Sequence, residues 1–393
     1  MNNYDWIVVG AGIAGAAIAY ELVKTGFSVL LLEQEEIPEN ATRYSYGGLA
    51  YWSGTTPLNR QLCQEAIACY QNLDAELDAD TEFRELDLLL TIAAEEDPKA
   101  MAASYNHVAI PPQLLNIQEA CEWEPLLNPQ GISGALTVKH GHINPSQTTE
   151  GYIQAFLRGG GKMHIAKVID LQTTSSVENG KKLTGIHTNL DTYHCKNVLI
   201  CAGGFSRELL KLAGIPIKLY FTHAEVITTP PVDLTLRTLI MPANLRRFQL
   251  EADSTQVDEL WQEAGNEPLA PILDVGAIQF ADGSLRLGQI SRVLTDPWGK
   301  VDAAESEGWL RSNIQEVLPK LANIPGTWHH CLVAFSGDRL PLIGAVPGYE
   351  GIHVFSGFSN PLVIIPPLAK RFADFLAGKE DGIITQLSPA RWS

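Results

Sequence analysis

Apolar positions form short unbroken runs near the two ends of the chain and alternate with polar ones through much of its middle. DWIVVG, from Asp5 to Gly10, is an apolar run closed by glycine, which predicts a strand buried on both faces. AGAAIAYELVKTG follows with helical spacing and Gly26 just past its end, and SVLLLEQ resumes as a second buried strand, so the N-terminus reads as a βαβ unit. Residues 59–78 and 92–106 have helical spacing, the second running into the proline-rich break AIPPQ. Asn144-Pro145 opens a helix that ends in three glycines, and KMHIAKVIDLQT beyond it predicts one strand. From about Ile217 to Gln289 the pattern changes to separated strands, and Asp282-Gly283 between alternating residues in AIQFADGSLRLGQI predicts a hairpin. A helix is expected around Glu305 to Leu318, then strands in HHCLVAFS and GIHVFSG. A last helix is expected over about Pro366 to Ala377, with its two prolines in the first turn.

This order predicts an α/β protein: a Rossmann-like lobe joined to a mainly antiparallel β-sheet lobe with helices. At 393 residues the chain exceeds what one hydrophobic core serves, so two lobes are expected. No repeat and no long low-complexity segment interrupts it. The 45 Asp and Glu against 28 Lys and Arg leave a net charge of -17, which repels phosphate backbones and argues against a nucleic-acid partner. Cys63, Cys69, Cys121, Cys195, Cys201 and Cys331 form no C-x-x-C pair and are too sparse for a disulfide scaffold, which fits a reducing compartment. The longest apolar stretch, Trp6 to Tyr20, is 15 residues, short for a membrane span, and no basic region precedes it. A soluble, cytoplasmic protein without a membrane span is expected, its oligomeric state left open.

The first chemistry lies in the βαβ unit. Gly10-Ala11-Gly12-Ile13-Ala14-Gly15 follows a predicted strand and opens a predicted helix. In that setting Gly10 permits the tight turn, Gly12 lets the backbone approach a pyrophosphate, and Gly15 allows close helix packing, while the helix N-terminus offers amide hydrogens to phosphates. Glu33, followed by Gln34 at the end of the next strand, is placed to accept from a ribose hydroxyl pair and disfavours a 2′-phosphate. FAD and NAD both satisfy this fingerprint. A second strand-glycine stretch, NVLICAGGFS from Asn197 to Ser206, suits a strand returning beside a cofactor.

Together VVGAGIAGAAIAYEL, SYGGL, GHINPSQTTEGYIQAF, VLICAGGFS, DGSLRLG and DRLPLIGAVPGYEGIHVFSGFS resemble, in order and over almost the whole chain, the D-amino-acid oxidase-like superfamily of FAD-dependent oxidoreductases, which includes glycine oxidase and the sarcosine oxidases. The resemblance implies FAD, a discontinuous FAD-binding domain of residues 1–80, 140–216 and 325–393, and a substrate domain of residues 81–139 and 217–324. It places Arg43, Gly47, Gly48 and Leu49 near the flavin, Val168 against the adenine through its main chain, and Ala202 and Gly203 along the cofactor. It also brings in Gly337 and Asp338, and sets Gly357, Asn360, Pro361, Leu362 and Val363 opposite flavin N1 and O2. The implied reaction is hydride transfer to flavin N5 from the carbon beside an amine nitrogen. That gives an imine which water hydrolyses, with oxygen, yielding hydrogen peroxide, or another electron acceptor taking the electrons.

The chain departs from that pattern where a substrate carboxylate would bind. Glycine-oxidase-like members carry an arginine where this chain has Val333, and sarcosine-oxidase-like members a lysine where it has Ile364. Pro361 and Leu362 replace a glycine pair, which removes one possible amide donor. Arg43, Arg246, Arg247 and Arg292 are the remaining candidates for a clamp or solvated surface residues. Tyr44, Tyr46, Tyr51 and Trp52 suit an aromatic cage for an amine or an ordinary core. Arg286 falls where sarcosine oxidases hold a lysine over the flavin; with Tyr44 and Tyr46 it is a candidate catalytic residue. His140, His142 and His223 have no metal-ligand spacing, and no metal site is expected. Cys331 stands seven residues before Asp338, as does the cysteine through which sarcosine oxidases attach FAD; it is either a thioether to the flavin 8-methyl group or a small apolar filler. An FAD-dependent amine or amino-acid oxidase leads. Its alternatives are an amine dehydrogenase using a quinone or protein acceptor, a flavin-binding protein with a repurposed substrate site and, weakest, an NAD-dependent dehydrogenase.

Overall fold

Tyr4–Val9 forms strand β1, Ile13–Lys24 helix α1 and Val29–Glu33 strand β2 in a computed structural model that describes residues 4–175 and 180–392. Every residue of β2 is buried, as a strand covered on both faces requires. The chain continues with α2 (Pro57–Leu77), β3 (Arg84–Ala93), α3 (Pro98–Ser104), β4 (Ile132–His142), α4 (Pro145–Arg158), β5 (Lys162–Ile165) and β6 (Cys195–Ile200). After these come β7 (Leu219–Thr228), β8 (Leu239–Pro242), β9 (Leu269–Gln279), β10 (Leu285–Val293) and α5 (Ala303–Val317). The last elements are β11 (Thr327–Ser336), β12 (Leu342–Ala345), β13 (Ile352–Ser356) and α6 (Pro361–Leu376).

Two large sheets organise these elements. A six-stranded sheet has the order β12-β13-β6-β1-β2-β5 and is parallel except at β12. α1, α4 and α6 cover one face through Ile18, Phe156 and Phe372. A nine-stranded sheet runs β11-β7-β10-β9-β8-β3-β4 and ends on the short strand Gly48–Leu49, with Gln113–Leu115 also on β4. It is antiparallel except where β8 meets β3. α5 packs on its outer face through Leu310 and Ile314. The mixed α/β architecture is therefore the expected one, and β11, from the 325–393 segment, lies at the edge of the antiparallel sheet.

Several elements differ from the sequence expectation. Residues 92–106 are not one helix: β3 runs through Ala93, paired to Ile132, and the helix begins only after Asp97, whose carboxylate accepts from the Lys99 amide at 2.9 Å. Sheet pairing overrides local helical spacing there. KMHIAKVIDLQT is two strands. The Ala166 amide makes the last bond to β2, at the Glu33 carbonyl, and Lys167 then bonds Asn189 as the chain enters a separate four-stranded sheet. The predicted hairpin joins β9 to β10, but through residues 280–284 with Gly283 alone at positive φ rather than as a two-residue turn. A helix, Arg247–Ser254, interrupts the expected run of strands. The last helix starts at Pro361, so Pro366 and Pro367 are interior.

Candidate functional site

The loops at the ends of β1, β2 and β6, the N-terminus of α6 and the inner face of the nine-stranded sheet enclose a cavity of about 1600 Å³. That exceeds the usual range of a single small-ligand pocket, roughly 300–1,000 Å³, and leaves room for a dinucleotide and a substrate. At one end Gly10, Gly12, Ile13 and Ala14 line it. Gly12 is the N-cap of α1 and supplies no side chain to cap it, so the positive end of the helix faces the cavity. Thr42 Oγ1 accepts the Ile13 amide at 3.1 Å. Ala11 and Gly15 do not line the cavity. Ala11 donates its amide to Glu33 Oε2 at 2.7 Å, and Gly15 packs α1 against the Gly10 carbonyl.

Glu33 and Gln34 form the adjoining wall. The Glu33 carboxylate is buried, and burial raises its pKa while the amides of Ala11, Gln34 and Glu35 oppose the rise. Val168, Ala202 and Gly203 continue the same wall. Gly357, Asn360, Pro361 and Leu362 bring in the first turn of α6, which the Asn360 side chain does not cap. Pro361 is the first residue of that helix, where its missing amide hydrogen would have had no helical partner. Val363 does not line the cavity.

Gly48, Tyr44 and Tyr46 reach the cavity, whereas Arg43, Gly47 and Leu49 do not. Tyr44 stacks on His329 at 4.3 Å, and burial pushes its hydroxyl up to about 12. The Tyr46 hydroxyl is buried without a partner among the described residues and lies over the facing Gly276 and Gly288. Trp52 joins this wall; Tyr51 instead donates to Glu85 at 2.7 Å. Arg286, expected over the flavin, is set back from the cavity. Its guanidinium lies 4.9 Å from the Phe280 ring centre and donates to the Arg43 carbonyl at 3.3 Å. Gly337 and Asp338 are also outside, and the Asp338 carboxylate is engaged by Arg391 at 2.8 Å. Cys331 does line the cavity, 6% exposed and opposite Ala224 on β7, and burial pushes its thiol up to about 12, with Arg247 opposing.

Val333 and Ile364, where cations were sought, line the cavity as apolar residues. Of the arginines weighed for a clamp only Arg247 reaches it, with Nε already 2.7 Å from Glu251. Arg292 is bound to buried Glu225 at 2.7 Å, and Arg246 lies near Asp274 at 3.7 Å. Sequence reasoning passed over Arg339, whose guanidinium donates to the Phe248 carbonyl, and His140, both on the cavity wall. The positive φ of Arg339 had no sequence signal, and His140 was weighed only as a metal ligand.

A family model described as FAD dependent oxidoreductase, DAO, matches residues 5–375. The chain belongs to this family. It is 24% identical over 390 residues to a glycine oxidase of Pseudomonas aeruginosa, covering 95% of each chain. It is likewise 24% identical over 384 residues to a 4-methylaminobutanoate oxidase (formaldehyde-forming) of Paenarthrobacter nicotinovorans, covering 96% of this chain and 44% of that one. The solved glycine oxidase from Geobacillus kaustophilus superposes with a TM-score of 0.80 at 20% identity, over 100% of this chain and 99% of that one, which shows the fold. The residues present fit FAD: the N-terminus of α1, with glycine at its cap position, and the Glu33 carboxylate meet on one cavity wall, as phosphates and a ribose require. Among the described residues no helix is long and apolar enough to cross a membrane.

Proposed function

We propose that this FAD-dependent oxidoreductase oxidises an amine or amino acid to an imine, which water hydrolyses. The observation that carries the reading is the continuity of one cavity from the Gly10–Ala14 loop to the aromatic wall of Tyr44, Tyr46 and Trp52. The names of the relatives, glycine oxidase and 4-methylaminobutanoate oxidase, support an amine or amino-acid substrate. When bound, FAD supplies a hydride acceptor at N5. In this reading the α1 N-terminus holds the pyrophosphate, Glu33 accepts from the ribose, the Val168 backbone flanks the adenine, and Gly48, Ala202 and Gly203 pass close to the cofactor. The α6 N-terminus would face N1 and O2 of the bound flavin, where its dipole would favour negative charge. The aromatic wall attracts the substrate ammonium, and Leu88, Leu90, Leu239 and Met241 exclude water from it. The FAD-binding segments 1–80, 140–216 and 325–393 and the substrate segments 81–139 and 217–324 belong to the same reading.

Anaerobic titration of the yellow holoenzyme with a panel of amines and amino acids tests it: one good substrate bleaches the flavin, and a panel without effect refutes it. Admitting air then separates the acceptors. Rapid recovery of colour with stoichiometric hydrogen peroxide identifies an oxidase, whereas slow recovery that a quinone accelerates identifies a dehydrogenase. Cys331, buried in the cavity wall, is assigned in this reading to a thioether with the flavin. Denatured protein is then expected to keep flavin fluorescence on a gel, and Cys331→Ala to release it; FAD in the acid supernatant of the wild type rules the bond out.

A further inference from the structure

The cavity wall holds a guanidinium that the amine-oxidation reading leaves unused. The helix Arg247–Ser254 lies against β9 and β10, and Arg247 opens it with its side chain 21% exposed on the cavity wall. Its Nε is 2.7 Å from Glu251 Oε1, which also accepts from the Thr222 hydroxyl at 2.9 Å. Glu251 and Thr222 are buried, so the guanidinium is pinned along one edge. Its two terminal nitrogens have no hydrogen-bond partner among the described residues, and neither is sealed from solvent. A fork held at Nε with its far N–H groups open suits a carboxylate that accepts from both. Arg339 shares the Phe248 ring with Arg247, their guanidiniums lying 5.7 and 5.6 Å from its centre. Arg246, Arg247 and Arg339 stand here against Asp274 and Glu251, which leaves one positive charge over.

The sheet beneath measures how far this fork stands from the aromatic wall. His329, Cys331 and Val333 alternate on one face of β11 and pair with Val226, Ala224 and Thr222 of β7. Tyr44 stacks on His329, and the Tyr46 hydroxyl lies over Gly288, which pairs with Val226. The tyrosines therefore stand on the Val226 row and the Arg247–Glu251 pair on the Thr222 row. Those rows are four residues apart along β7, roughly 13 Å at the rise of a strand. The charges agree with this spacing. Arg247 acts on the thiol of Cys331, in the intervening row, whereas Asp274 and Arg286 are the charges that act on the Tyr46 hydroxyl. An ammonium binds within about 6 Å of a ring centre, and a carboxylate oxygen about 3 Å from its N–H donor. A ligand that touches both ends must then hold its nitrogen and carboxylate oxygen about 4–6 Å apart. In an α-amino acid the bond lengths confine the two to within about 3.6 Å.

We propose that Arg247 is a specificity-determining cation for a carboxylate set one or two methylenes further from the nitrogen than in an α-amino acid. The oxidised substrate is then a 3- or 4-aminoalkanoate, its nitrogen on the tyrosines and its carboxylate on the open end of the Arg247 fork. The substrate role rests on the amine-oxidation reading; the anion site does not.

Betaines test the binding, because a quaternary nitrogen has no lone pair from which to form an imine and the ligand is bound without being oxidised. Glycine betaine, 3-trimethylammoniopropanoate, 4-trimethylammoniobutanoate and the neutral amide of the last are titrated into the holoenzyme and followed by perturbation of the flavin spectrum. The tighter of the two longer betaines is expected to bind about tenfold or more tightly than glycine betaine, and 4-trimethylammoniobutanoate to exceed its amide by a similar factor, the size of one charge-assisted hydrogen bond. Arg247→Met is expected to bring both ratios within about threefold, and Arg247→Lys, a point charge without the fork, to fall between. Glycine betaine binding as tightly as the longer two, or both ratios unchanged in an Arg247→Met protein that still binds FAD, overturns the inference. If Arg247→Met does not fold, equal affinity of the wild type for 4-trimethylammoniobutanoate and its amide does so.

Anaerobic bleaching by glycine, 3-aminopropanoate, 4-aminobutanoate and butylamine then tests the reaction. One of the two longer amino acids is expected to be the fastest, and glycine or butylamine acting equally fast overturns the specificity. Betaine binding that depends on Arg247 with no bleaching by any amine upholds the anion site and refutes amine oxidation.

Discussion

At Gly15 a β-carbon would lie 1.8 Å from the Gly10 carbonyl oxygen, and at Gly10, with φ +100°, it would meet the Cys201 carbonyl at 2.7 Å. Gly15→Ala must therefore push α1 off the sheet; we expect a loss of about 2–3 kcal/mol in urea melts, with weaker FAD binding. Glu33→Ala frees the Ala11 amide and removes the ribose acceptor, and at least tenfold faster FAD release in dilution assays is expected. Arg286→Met is expected to lower stability by about 1 kcal/mol through loss of its cation–π contact and its bond to the Arg43 carbonyl. Because Arg286 is set back from the cavity, the same variant should leave anaerobic flavin reduction within a few-fold of wild type. The glycine loop and Glu33 were legible because a turn, a helix start and a strand end must follow one another locally. His140 was not, because its meaning depends on Trp52, 88 residues away.

The elements were most legible where one period dominated, as in β1, α1, β2 and α5, and least where a partner overruled the local pattern. In α6, Pro366 cannot donate to the carbonyl of Leu362 one turn earlier. That carbonyl instead accepts from the Tyr70 hydroxyl of α2, so the interior proline is accommodated by a residue nearly 300 positions away, and the helix continues where the sequence suggested a start. Tyr70→Phe is expected to leave the buried Leu362 carbonyl unpaired, destabilising the protein by about 1–3 kcal/mol in chemical denaturation. Leu362 lines the cavity, so the same variant should also shift the flavin absorption maximum. At Ala166 and Lys167 the strand pattern is continuous, yet the chain leaves one sheet for another, since each residue bonds a different neighbour.

Over the whole molecule, burial sets an acid limit. His140 and His142 are lowered to about 3, and His223 and His353 to about 4, by burial first of all. In the unfolded chain they titrate near the ordinary histidine value, roughly 6.5, so below that pH the unfolded state binds more protons. The stability these neutral rings allow is complete above about pH 6.5 and is lost as pH falls toward the folded values, by up to ~1.4 kcal/mol per pH unit for each ring. Urea midpoints are expected to fall steadily from neutral pH to about pH 5, and His353→Asn to flatten the slope. By itself the sequence determined the βαβ start, the glycine loop with its acidic partner, the α/β class and the family, because these rest on short-range periodicity and on motifs in a set order. Tertiary structure alone decided which of those residues share a cavity, that Arg286 and Asp338 are engaged elsewhere, and that His140 accepts from the Trp52 indole. The physical reason is that burial and hydrogen-bond partnership are properties of neighbours brought together by sheet pairing, and a residue's identity does not carry them.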